Sequence, residues 1–153
     1  MFERLTTGSN FGLLARTLEF TSSRQQIIAN NIANWETPGF RPTDVDPKAF
    51  QAALADAVAE RKTLTDRGVA FDDLKDIDGG LKVARGEQWE VGSNGLELRP
   101  EPVGEGLLFH DGNDRSMERI LQSMTENLTM FRFAATMMRR QFQSIENAIS
   151  ERL

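Results

Sequence analysis

His110 is the only histidine in this 153-residue chain, and cysteine is absent. Any nucleophilic catalysis would therefore have to pair His110 with a serine or threonine hydroxyl. No neighbouring motif supplies that pairing, so His110 reads as a solvated or structural side chain. The run Asp72-Asp73-Leu74-Lys75-Asp76-Ile77-Asp78-Gly79 is dense enough in carboxylates to suggest a calcium loop. Setting Gly79 at the sixth position of such a loop places Leu74 first and Arg85 twelfth, where carboxylates are required. The match fails, and the run reads as a solvated acidic loop. Gly104-x-Gly106 has Phe109 where a dinucleotide fingerprint needs its third glycine, and no strand–helix–strand unit surrounds it. Without cysteine there are no disulfides, iron–sulfur ligands or thiol chemistry, and zinc has only weak ligand sets. The sequence thus offers no catalytic, cofactor-binding or metal-binding residue, and an enzyme is not expected.

Composition narrows the classes further. A net charge of −5 gives no support for nucleic-acid binding. The mix of 39% apolar and 27% charged residues is that of an ordinary globular chain. The opening Met1-Phe2-Glu3-Arg4-Leu5-Thr6-Thr7-Gly8 lacks the basic-then-apolar pattern of a cleavable signal peptide. No stretch approaches the ~18 uninterrupted apolar residues of a membrane span. The missing cysteines fit a reducing cytosol or chance. They also fit a chain that must stay unfolded for export, where a premature disulfide would obstruct passage.

The elements that could position anything lie at the two ends. Met117, Leu121, Met124, Leu128, Phe131, Ala135, Met138, Phe142, Ile145 and Ile149 follow one another at alternating steps of four and three. That spacing is the signature of a heptad seam and predicts a helix over about 116–150, on the order of 50 Å long. Asp111 to Ser116 supply turn formers before it, with Ser116 as N-cap. Arg139 and Arg140 lie off this seam. Phe11, Leu14, Leu18, Thr21, Gln25, Ile28 and Ile32 repeat the spacing near the N-terminus, flanked by Leu13, Phe20 and Ile27. That helix should stop near Asn34, because Pro38 biases Thr37 away from helical angles. A short helix is expected next, capped by Asp46, with Pro47 first and Phe50, Leu54 and Val58 on its apolar face. Gln88 to Val91 and Leu96 to Leu98 alternate around Ser93-Asn94-Gly95 and predict a β-hairpin. The expected fold is mainly α, with long terminal helices pairing as a coiled-coil-like core around a small irregular middle. It divides at 1–36, 37–112 and 113–153.

Long apolar seams need cover, since an isolated helix of this kind is marginal in water. Pairing the two terminal helices leaves much of each cylinder without a partner. Other chains must cover the rest, or the middle must fold back. The alternatives are a monomeric helical bundle and a cytoplasmic helical adaptor or secretion chaperone. A small hydrolase built on Asp72, Asp73, Asp76 and Asp78 is a third.

The run Asn30-Asn31-Ile32-Ala33-Asn34, followed by Thr37-Pro38-Gly39-Phe40-Arg41, resembles the hallmark of flagellar axial proteins. In those rod, hook and hook-associated subunits such a run ends the first helix and a Thr-Pro-Gly-aromatic-basic turn follows. Phe40 stands where Tyr is commoner, and Trp35-Glu36 is bulkier than the usual small pair. The chain has no room for the large middle of the longer rod and hook proteins. Its Asp111-Gly112-Asn113 entry and its Met124-Thr125-Glu126-Asn127-Leu128 segment resemble the short proximal-rod branch of the flagellar basal-body rod family. The resemblance implies a structural role. It implies export in the unfolded state through the flagellar type III apparatus and polymerisation in the periplasm. The terminal helices would build the inner tube, beside other rod subunits, a rod-adaptor subunit and the membrane-ring protein. No cofactor is implied.

Overall fold

A computed structural model describes residues 11–68, 81, 83–92, 95–103 and 117–150. The expected features at Ser93-Asn94, Asp72–Gly79, Gly104–His110 and Asp111–Ser116 lie outside the described residues. Among the described residues three helices and four short strands follow in chain order: α1 (Phe11–Ala33), β1 (Thr43–Asp44), α2 (Pro47–Asp66), β2 (Trp89–Gly92), β3 (Gly95–Leu98), β4 (Glu101–Pro102) and α3 (Met117–Ser150).

The two long helices pair antiparallel. The Phe11 ring meets Phe142 edge-on at 5.2 Å between centroids. Thr21 and Gln25 meet Asn127, and Ile28 and Ile120 line one cleft. At 34 residues α3 outruns the 23 of α1. It is therefore roughly 15 Å longer at 1.5 Å per residue.

The described part of the middle holds more regular structure than its irregular pattern predicts. α2 is 20 residues long, not a short helix. Its start follows the expected chemistry, with the Asp46 side chain accepting from Lys48 N and Pro47 in the first turn. Phe50, Leu54 and Ala57 are its buried residues, and Val58 packs at the margin. The hairpin pairs Trp89 with Leu98 and Val91 with Leu96. A second antiparallel pair joins β1 to β4, with Thr43 opposite Pro102 and Asp44 opposite Glu101.

These middle elements close on the face of α1 beside the one that meets α3. The core joins Phe20 of α1 to Val45, Phe50, Leu54, Ala57, Leu81, Val83 and Trp89, with Leu13 and Ile27 packed at its margin. Phe20 and Phe50 stack at 4.1 Å, and Trp89 meets Phe50 edge-on at 5.4 Å. Trp89 satisfies its indole N–H on the Ala84 carbonyl at 3.0 Å. Gly86 lies directly against this ring, and a Cβ there would fall 2.4 Å from the indole. The middle thus folds back to cover one side of α1, which periodicity alone left open.

Two substitutions test this core. Phe50→Ala should lower unfolding free energy by about 4 kcal/mol in urea titration, through lost transfer energy and the cavity left behind. Gly86→Ala must displace the Trp89 ring, so the near-ultraviolet circular dichroism of the tryptophans should fall while far-ultraviolet helicity persists.

Candidate assembly surface and helix-end turn

The Asn-rich end of α1 divides its work between two asparagines. Asn34 donates from Nδ2 to the Asn30 carbonyl at 2.9 Å and to Asn30 Oδ1 at 3.0 Å, satisfying a helix-end acceptor. Asn31 does something else. It is buried, its Nδ2 donates to the Thr43 carbonyl at 2.7 Å, and its Oδ1 accepts from Thr43 N at 3.1 Å. One side-chain amide thereby imitates a strand neighbour for β1. Between them the chain turns through Thr37 N to the Asn34 carbonyl and Phe40 N to the Thr37 carbonyl. Gly39 takes a φ of +76°, a left-handed conformation that a side chain would strain. Ile32, Ala33, Thr37, Pro38 and Arg41 are exposed and Phe40 is half-buried.

A second strap lies two turns earlier on α1. Arg24 is buried and grips Asp44 with both arms, Nε to Oδ1 at 2.8 Å and Nη2 to Oδ2 at 2.6 Å. A buried guanidinium is tolerated only when so paired. Arg24 and Asn31 together hold residues 43–44 against α1. Sequence reading passed over both contacts. The available signal was Arg24 itself, a charge four residues from Phe20 and four from Ile28 on a stripe otherwise apolar.

The expected seam is spread across the α1–α3 contact and its edge. Leu14 and Ile28 are buried, and Leu18 is half-buried. Met117, Met124, Leu128, Ala135, Met138 and Ile145 are half-buried. Ile32, Leu121, Phe131, Phe142 and Ile149 are exposed, Leu121 by 50% and Phe142 by 48%. The residues that α3 does bury are Ile120, Asn127 and Ala134. Leu121, Leu128 and Ala135 each sit one residue further, roughly 100° round the helix. The contact with α1 therefore takes one flank of α3 and leaves an apolar edge beside it. Phe133, off the seam, is the most exposed large apolar residue among the described residues, at 61%. It lines a groove with Met130, Pro47 and Gln51.

Asp44→Ala would leave Arg24 buried without its carboxylate. It should lower stability by about 3 kcal/mol in denaturant titration. Asn31→Ala should lower it less, by about 1–2 kcal/mol, because Asn31 carries no charge.

Residues 14–41, covering most of α1 and the turn, match the family model described as flagella basal body rod protein. Over 139 residues, 90% of this chain and 93% of the relative, the sequence is 29% identical to the flagellar basal body rod protein FlgB of Borrelia hermsii. The family model falls on the straps and the helix-end turn, and the longer similarity spans the middle and reaches into both terminal helices. The chain is thus similar to flagellar basal-body rod proteins, by the family model over residues 14–41 and by one relative along most of its length.

Proposed function

We propose that this chain is a structural subunit of the proximal part of the flagellar rod. In this reading it is exported unfolded and polymerises in the periplasm through its terminal helices, contributing to the drive shaft. Its partners are further copies, other rod subunits, the rod-adaptor subunit, the membrane-ring protein and, during passage, the export apparatus. Segments 1–36 and 113–153 are its axial parts and 37–112 its variable middle. It performs no catalysis. The cytoplasmic adaptor reading draws no support from the family match.

The observation that carries the proposal is the uncovered apolar edge. Leu121, Phe142 and Ile149 follow one flank of α3, with Ile32 at the end of α1, and all are exposed. A contiguous apolar edge of this kind marks an interaction surface. Its half-buried neighbours include Met117, Met124 and Met138. Methionine adapts its shape, which suits contact with non-identical neighbours. Among the described residues no helix is long and apolar enough to cross a membrane.

Leu121→Ser and Ile149→Ser test this. Each residue is exposed, so monomer stability should change by less than about 1 kcal/mol. Swimming motility and the yield of complete basal bodies in electron micrographs should both fall sharply in cells carrying either change. Normal basal bodies in the double variant would overturn the assembly role of this edge.

A further inference from the structure

α1 buries a line of residues seven apart, Leu14, Thr21 and Ile28. Leu14 and Ile28 stand outside the cluster around Phe50, and α3 answers with Ile120, Asn127 and Ala134, also seven apart. Two heptad-periodic lines in antiparallel contact can slide by seven residues, about 10 Å of helix rise, and meet again in phase. Shape and apolar burial alone therefore distinguish poorly between three alignments. In the observed one Thr21 faces Asn127. In the others Asn127 would face Leu14 or Ile28.

Asn127 is 1% exposed, the most deeply buried residue of α3 along with Ala134. Its Nδ2 donates to the Thr21 carbonyl and to Gln25 Oε1, both at 2.9 Å. Its Oδ1 has no partner among the described residues. A backbone carbonyl would meet Nδ2 in any alignment. A side-chain acceptor would not, because the positions one heptad from Gln25 are Leu18 and Ile32. Sliding the helices thus exchanges a satisfied amide for one pressed against hydrocarbon, and leaves a second amide, Gln25, without its partner.

We propose that the Gln25–Asn127 pair is the specificity determinant of α1–α3 pairing. It selects one of three heptad-related alignments, whether α3 meets the α1 of its own chain or that of a second copy. A single buried polar match inside an apolar seam sets register in this way at some expense of stability. The inference stands independently of the rod assignment, since it rests on the helix pair alone.

The chain has no cysteine, so introduced pairs report alignment without background. Phe11→Cys with Phe142→Cys marks the observed register, where the two rings touch. Phe11→Cys with Ile149→Cys, or with Ala135→Cys, marks the two shifted ones. Cross-linking with a short bis-maleimide is quantified by mass spectrometry, counting monomer and dimer products together. With Asn127 and Gln25 in place, the observed pair should link about tenfold better than either shifted pair. Asn127→Leu and Gln25→Leu should each raise the shifted products about fivefold while helicity by circular dichroism is kept. Unchanged shifted products in both variants, with the observed pair still linking, would overturn the proposal. If Asn127→Leu loses its helicity, Gln25→Leu decides by the same criterion.

Discussion

The pairing of buried Arg24 with half-buried Asp44 is the contact on which the rest of the molecule hangs. A guanidinium taken out of water is strongly destabilising unless a carboxylate meets it with good geometry. The two-armed grip on Asp44 provides this. Asn31 repeats the logic with a neutral amide on Thr43, two turns along α1. These contacts oblige the chain, once past the Gly39 turn, to run back along the helix it has just left. Everything in the middle follows from that return. β1 is positioned to pair with β4, and Asp46 N reaches Gln88 Oε1 at 2.7 Å. α2 then starts where Phe50 stacks on Phe20.

α1 is consequently covered on two sides by different chemistry. Toward the middle it meets an aromatic-rich core in which Phe20, Phe50 and Trp89 lock one another's orientation. Toward α3 it meets a narrower line, apolar at Ile120 and Ala134 and polar at Asn127. α3 is held on one flank only. Of the six large apolar residues exposed among the described residues, Leu121, Phe131, Phe133, Phe142 and Ile149 belong to α3. The uncovered apolar surface is therefore concentrated on α3, the kind of surface that marks an interaction site.

The straps also give the helix-end motif a second function. Asn31, Gly39 and the short return to Thr43 are parts of one device that reverses the chain beside α1. Asn34 closes the helix end and Asn31 anchors what comes after. A generic helix stop would need the first function but not the second. Ile32 and Ala33 stay exposed beside this device, so the same short stretch anchors the fold and continues the apolar edge.

Local and periodic features were legible from residue order alone. Alternating four-three spacing marked both long helices, Asp46-Pro47 marked the start of α2, and alternation around Gly95 marked the hairpin. Each depends on residues within a few positions of one another, so pattern suffices. The full length of α2 was not legible, because the turn Ala59-Glu60-Arg61-Lys62 beyond Val58 carries helix propensity without a strong apolar stripe. The candidate seam was legible as a set of residues, but not its division into buried, half-buried and open positions. Leu121 and Ile120 differ by one step in sequence, and only the rotation of α3 against α1 assigns one to the interior and the other to the edge. Likewise Arg24 with Asp44, Thr21 and Gln25 with Asn127, and Phe20 with Phe50 join positions far apart along the chain. Residue order determined which segments are helical and how their apolar faces repeat. Tertiary structure alone decided which face meets which, because an amphipathic period states that a side must be covered and is silent about the partner.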